Sequence, residues 1–132
     1  TYAFVLPMGR AKLAGIARDD IGRCAYGIFK QNGGLIGSTV GIAGDHLSGA
    51  EMAAKLTRAL GVTVVHGDVP PEVYRTFGFP GADDLANMFQ YNRDFEREAL
   101  EARSLEFSRS VNPALQSFDD WLRANAKSIP LE

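Results

Sequence analysis

Phe77-Gly78-Phe79-Pro80-Gly81-Ala82-Asp83-Asp84-Leu85-Ala86-Asn87-Met88-Phe89 decides how this chain is read. Gly78 tolerates positive φ and can end the helix before it. Pro80 cannot continue a helix from upstream but suits the first turn of a new one. Beyond it Leu85, Met88, Phe89, Asn92, Phe95 and Ala99 recur at steps of three or four, which is helical spacing. The stretch is therefore a Gly/Pro elbow that aims a long helix, expected from Ala82 to about Ala102. An apolar stripe of this kind ordinarily faces a core; being rich in aromatics and Met, it can also line a cleft. The outer half carries Arg93, Asp94, Glu96, Arg97, Glu98, Glu101 and Arg103, whose mixed charges read as a solvated face.

Outward from the elbow, strands and helices alternate in the first half and helices dominate the second. Tyr2 to Leu6 is an apolar run stopped by Pro7, a strand. Lys12 to Ala17 reads as a second short strand. Asp19 or Asp20 then starts a helix whose stripe is Ile21, Cys24, Ala25, Ile28 and Phe29, ending near Asn32-Gly33-Gly34. Thr39 to Ala43 reads as a strand between Gly37 and Gly44. Ser48 and Glu51 have capping-box spacing and open a helix that Gly61 closes. Val62 to Val65 is β-branched, a strand. Asp68-Val69-Pro70-Pro71 begins a short helix, Asn112-Pro113 breaks the chain, and Ser117 with Asp120 caps a final helix.

The 132 residues are 45% apolar with a net charge of −2, the profile of one small globular unit. A nucleic-acid binder would show a basic stripe, and here the cations are scattered among acids. No run is long enough to span a membrane, and no signal-peptide pattern opens the chain. Cys24 is the sole cysteine, so no intramolecular disulfide forms; we expect a cytoplasmic protein. The chain starts at Thr1 inside a strand, and we expect an N-terminal portion to be missing.

The elbow stretch, with Asp19-Asp20-Ile21-Gly22 and Leu47-Ser48-Gly49-Ala50-Glu51 before it and Phe118-Asp119-Asp120-Trp121-Leu122 after it, resembles in order the C-terminal part of the NmrA-like family. These are atypical short-chain dehydrogenase/reductases, and the likeness is greatest to the redox-sensor branch. The resemblance implies an α/β fold: the C-terminal part of a Rossmann-like architecture, with few strands and a mainly helical substrate or partner subdomain. It divides the chain at 1–67, a strand/helix remnant with the small-domain joint, and 68–132, the helical subdomain. It implies NADP(H) or NAD(H) for a complete family protein and none for this chain alone. By position it makes Phe79, Met88, Phe89, Tyr91 and Asn92 the substrate or partner cleft. It implies a small-molecule or protein partner and a regulatory, non-catalytic role. The alternatives are a fragment of an NAD(P)H-dependent reductase acting on a quinone or carbonyl compound, and a free-standing shortened homologue that folds as a homo-oligomer by pairing an open sheet edge.

Other candidates read more blandly. A dinucleotide fingerprint needs a strand, glycines at fixed spacing, then a helix; Gly33, Gly34 and Gly37 follow a helix and precede a strand, so they are loop glycines. Tyr26 and Lys30 have the Tyr-x-x-x-Lys spacing of short-chain reductases, but the resemblance puts their helix past the catalytic region. His46 and His66, beside Asp45 and Asp68, fit no zinc spacing and read as hydrogen-bonding residues. Cys24 reads as an inert core thiol, and Asp19 and Asp20 as helix caps rather than an acid/base pair.

Overall fold

A run of β-branched and aromatic residues that must bury one face needs a second strand beside it. In the computed structural model, which describes residues 1–132, β1 (Tyr2–Leu6) finds that partner in β4 (Val64–Asp68). The two are parallel, in register from Tyr2 opposite Val64 to Leu6 opposite Asp68. Between them come β2 (Lys12–Gly15), α1 (Arg18–Phe29), β3 (Asp45–Ser48) and α2 (Gly49–Leu60); β2 and β3 pair as a second two-stranded sheet. After β4 follow α3 (Pro71–Arg75), α4 (Ala82–Asp94), α5 (Glu96–Glu101), α6 (Leu105–Val111), α7 (Phe118–Asn125) and a 3-10 turn at Ala126–Ser128.

The chain forms two compact units, interleaved in sequence: residues 1–13 with 47–99, and 14–46 with 100–132. The boundary expected at 67/68 falls inside the first unit, because β4 stays paired with β1 through Asp68.

In the first unit α2 packs on β4 and β1. Its ends are built as the sequence indicates. Ser48 Oγ accepts from Glu51 N–H at 3.1 Å, Glu51 Oε2 accepts from Ser48 N–H at 2.8 Å, and Gly61 closes the helix at φ 70°. The Thr57 hydroxyl then fixes the start of β4, donating to Val64 O at 3.0 Å and accepting from Val64 N–H at 2.9 Å. The core is Leu6, Met8, Tyr74, Ala86 and Phe89, with Phe4, Leu13 and Met52 packed against it. The opposite side of the strand pair, at Ala3, Val5 and Val65, is exposed.

In the second unit the core is Cys24, Val111 and Leu115, ringed by Ile16, Ile28, Ile42 and Phe107. Gly27 lets α1 meet α6: a side chain there would overlap the Val111 carbonyl. Ser117 and Asp120 form a capping box at α7, and Asp45 Oδ2 accepts from Phe118 N–H at 3.0 Å.

Three expectations give way. Thr39 to Ala43 joins no ladder; Ala43 N–H donates to the Ser108 hydroxyl at 2.9 Å, and the strand falls later, at Asp45–Ser48. Pro80 lies in the turn before α4, which starts at Ala82 behind Gly81 at φ 87°. The helix expected to reach Ala102 bends at Phe95 (φ −120°, ψ 42°), where Glu96 turns to accept the Lys12 N–H at 2.6 Å, a tertiary bond that no local residue announces.

The capping box makes a pH prediction. The Ser48 N–H, with Lys12 nearby at 3.7 Å, holds the Glu51 carboxyl below its ordinary value of 4.5. A carboxyl with a lowered folded-state pKa stabilises the fold above its unfolded pKa, and that share disappears as pH falls through the folded value. The stability difference between wild type and Glu51→Gln, measured by urea melts, should therefore shrink as pH falls from about 5 to about 3. A difference that stays constant or widens would show that the carboxylate charge is not what stabilises α2.

Candidate functional site

Helix α4 has two apolar sides. Ala82, Ala86 and Phe89, spaced by four and three, are buried at 5%, 0% and 8% exposure. Leu85, Met88, Tyr91 and Phe95, at steps of three and four on the other side, are exposed. The stripe read from the sequence thus splits: Phe89 and Ala99 are core, while Leu85, Met88 and Phe95 are not.

The elbow is held by Tyr74. Its ring meets Phe77 at 5.2 Å, Phe79 edge-on at 5.7 Å and Phe89 edge-on at 5.6 Å. Such edge contacts each contribute roughly 0.5–1.5 kcal/mol beyond the area buried. Arg75 ties α3 to α4 by donating to Asn87 Oδ1 at 2.7 Å and Gln90 Oε1 at 2.6 Å.

The five cleft candidates therefore divide. Met88, Tyr91 and Asn92 share the outer face of α4, where Tyr91 stacks on Phe95 at 5.3 Å. Phe89 points the other way, into the core. Phe79 packs on Tyr74 and keeps one edge in solvent. Asn92 donates to Met88 O at 2.8 Å, so one of its two amide N–H donors is engaged by its own helix, leaving its oxygen and the second N–H for a ligand. Leu85 and Phe95 complete the outer face; their place in the stripe was visible in the sequence, but not which side of the helix the core would take. Tyr74, the hub of the rings, gave no signal beyond being an aromatic in a short helix.

The remaining candidates hold structural posts. His46 and His66 bond backbone carbonyls through Nε2: Arg103 O at 2.8 Å and Leu6 O at 3.1 Å respectively. A carbonyl only accepts, so each ring carries its proton on Nε2. Cys24 is fully buried, its thiol facing Ser108 O at 3.9 Å, and burial pushes its pKa up, away from a reactive thiolate. Tyr26 and Lys30 are exposed, with the ammonium 5.2 Å from the ring centroid.

Asp20 differs from its expected role. It caps no helix; Ala17 occupies the N-cap position of α1 without a side-chain bond. Its carboxylate is fully buried, and it accepts from Asn112 Nδ2 at 3.0 Å, Gln116 N–H at 2.9 Å, Gln116 Nε2 at 3.3 Å and Arg23 at 3.3 Å. It thus pins residues 112–116 to α1 across the break at Pro113.

The backbone also bears on a dinucleotide. Leu6 leads through Pro7 and Gly9 into β2, and Asp68 leads through Pro70 into the five-residue α3. At the N-terminus of α2 the Ser48 and Glu51 amides are engaged by their own capping box. No parallel strand here opens through glycines into a helix, the arrangement a pyrophosphate takes, so these residues do not fit that group.

A parallel strand pair covered by helices on one face and followed by a helical region is the arrangement of part of a Rossmann-like α/β protein. The chain belongs to the NmrA-like family, which it matches over residues 1–122. A nucleoside-diphosphate-sugar epimerase from Staphylococcus aureus is similar, at 25% identity and TM-score 0.73, with 92% of this chain and 43% of that one covered. The triphenylmethane reductase of Citrobacter sp., in its complex with NADP(H), aligns at 18% identity and TM-score 0.73 over 92% of this chain and 44% of that one. NmrA, a negative transcriptional regulator, aligns at 18% identity and TM-score 0.72 over 98% of this chain and 46% of that one; it has also been solved in complex with NAD. The chain thus spans less than half the length of the structures it matches. No helix is long and apolar enough to cross a membrane.

Replacing Asp20 with Ala should leave the Asn112 amide and the Gln116 N–H buried without an acceptor, at about 3 kcal/mol or more. Urea denaturation measures it. A loss under about 1 kcal/mol would mean that water or a neighbour replaces the carboxylate.

Proposed function

We propose that this chain is the C-terminal substrate- or partner-binding region of an NmrA-like, NAD(P)(H)-binding regulatory protein, without catalysis of its own. One observation carries the reading: the outer face of α4 leaves Leu85, Met88, Tyr91 and Phe95 in solvent around the Asn92 amide, while the helix is anchored by its other side. A mainly apolar wall with one polar group suits a flat ligand or an apolar protein segment. The dinucleotide belongs to the complete protein, since relatives about twice this length are solved with NAD or NADP(H). The reductase neighbour, at 18% identity, supports the shared fold, and no side-chain arrangement here favours turnover over binding.

Two measurements test the two halves of this reading. NADPH and NADP should bind the 132-residue chain no tighter than millimolar by calorimetry; micromolar affinity would refute the division of labour. The neutral dye Nile red should bind the α4 face, and Tyr91→Ser with Phe95→Ser should weaken it at least about fivefold with less than about 1 kcal/mol lost in stability, since both side chains are exposed. Undiminished dye binding would remove the α4 face from consideration.

A further inference from the structure

Glycine in a helix interior is unfavourable relative to alanine, and in a folded protein it is usually explained by a neighbour that leaves no room. Gly22 has no such neighbour: a Cβ built on it meets nothing within 4 Å. It instead lies along a hollow of about 460 Å³ in the second unit, bounded by the outer side of α1 and residues 111–113. Gly22 is one of the residues that line that space. The hollow is a groove open to solvent on one side, so a flat molecule laid in it keeps one face wet.

The walls have a consistent chemistry. Pro113 and the exposed Tyr26 ring supply apolar surface, and Arg23 and Lys30 place two cations at the rim. Lys30 has no carboxylate partner; its ammonium rests 5.2 Å from the Tyr26 ring centroid. Arg23 touches Asp20 through Nη1 alone, at 3.3 Å with its side chain 53% exposed, so most of its five donors remain open. Asp19, the carboxylate at the rim, pairs with Arg18 at 3.8 Å. The geometry points to a binding site for a small apolar anion, of the aromatic carboxylate type. Its flat body lies over Gly22 against Tyr26 and Pro113, and its carboxylate lies between Arg23 and Lys30. The proposal does not rest on the reading of the α4 face.

The test uses the ¹⁵N-labelled 132-residue chain titrated with 2-naphthoate, and with the neutral 2-naphthalenemethanol as comparison. Naphthoate should shift the amides of Gly22, Arg23, Tyr26 and Val111, and the alcohol should bind about tenfold more weakly, the loss of one charge-assisted contact. Lys30→Gln should weaken naphthoate by a similar factor. Gly22→Leu should abolish binding. Gly22→Ala should weaken it while raising Tm by about 2–5 °C, since the helix gains where the ligand loses. The proposal is overturned by any of three results: no shift at these amides up to about 5 mM, equal binding of acid and alcohol, or unchanged binding in Gly22→Leu. Shifts confined to Met88 and Tyr91 would overturn it as well, while leaving the α4 reading standing.

Discussion

Parallel strands cannot be joined by a tight turn; the chain must leave the sheet and come back. The parallel pairing of β1 and β4, from Tyr2 opposite Val64 to Leu6 opposite Asp68, imposes that constraint here. The excursion carries α1 out and brings α2 back, and the rest of the second unit comes from the far end of the chain. Each unit is therefore closed by bonds between residues distant in sequence. In the first, Asp68 Oδ1 accepts from Gly9 N–H at 2.9 Å and Glu96 accepts from Lys12 N–H at 2.6 Å. In the second, Asp20 gathers Asn112 and Gln116, and Asp45 takes Phe118. Acidic side chains on backbone amides recur because a carboxylate can satisfy several donors at once.

This explains which parts of the fold the sequence disclosed. Local devices were legible: the Ser48–Glu51 and Ser117–Asp120 boxes, Gly61 at a helix end, and the breaks at Asn112-Pro113 and at the elbow all depend on neighbours within a few residues. The failures are tertiary. Asp20 looked like a cap because acids favour helix starts, but its partners lie 92 and 96 residues away. Thr39 to Ala43 had strand composition but pairs with no strand, and its Ala43 amide donates to the Ser108 hydroxyl. The single long helix bent at Phe95 because of Lys12. For the candidate site, the resemblance named Met88, Tyr91 and Asn92 by position, and helical spacing placed Met88 and Asn92 on one stripe with Phe89. It could not say that Phe89, one residue from Met88, would be drawn to Tyr74. Spacing gives relative positions on a helix; only packing decides which side is inward.

The two-sided character of α4 has a further consequence. The buried side, Ala82, Ala86 and Phe89, is mostly small residues, so the helix is fixed largely by Phe89 on Tyr74 and by Arg75 on Asn87 and Gln90. The larger apolar side chains are spent on the side that this unit leaves bare. The strand pair behaves alike, with Ala3, Val5 and Val65 exposed although parallel strands are ordinarily covered on both faces. Both fit a chain that spans under half the length of its solved relatives.

Gly22 belongs to the same class of exception, and comparison with Gly27 shows why. Each costs the helix about 0.5–1 kcal/mol relative to alanine. At Gly27 the cost is offset within the fold, because α1 could not approach the Val111 carbonyl with any side chain there. At Gly22 nothing in the fold offsets it. Natural chains sit close to a stability threshold, and departures from the stabler residue concentrate where function requires them. An exposed apolar row on one unit and a needless helix glycine on the other are two independent departures of that kind.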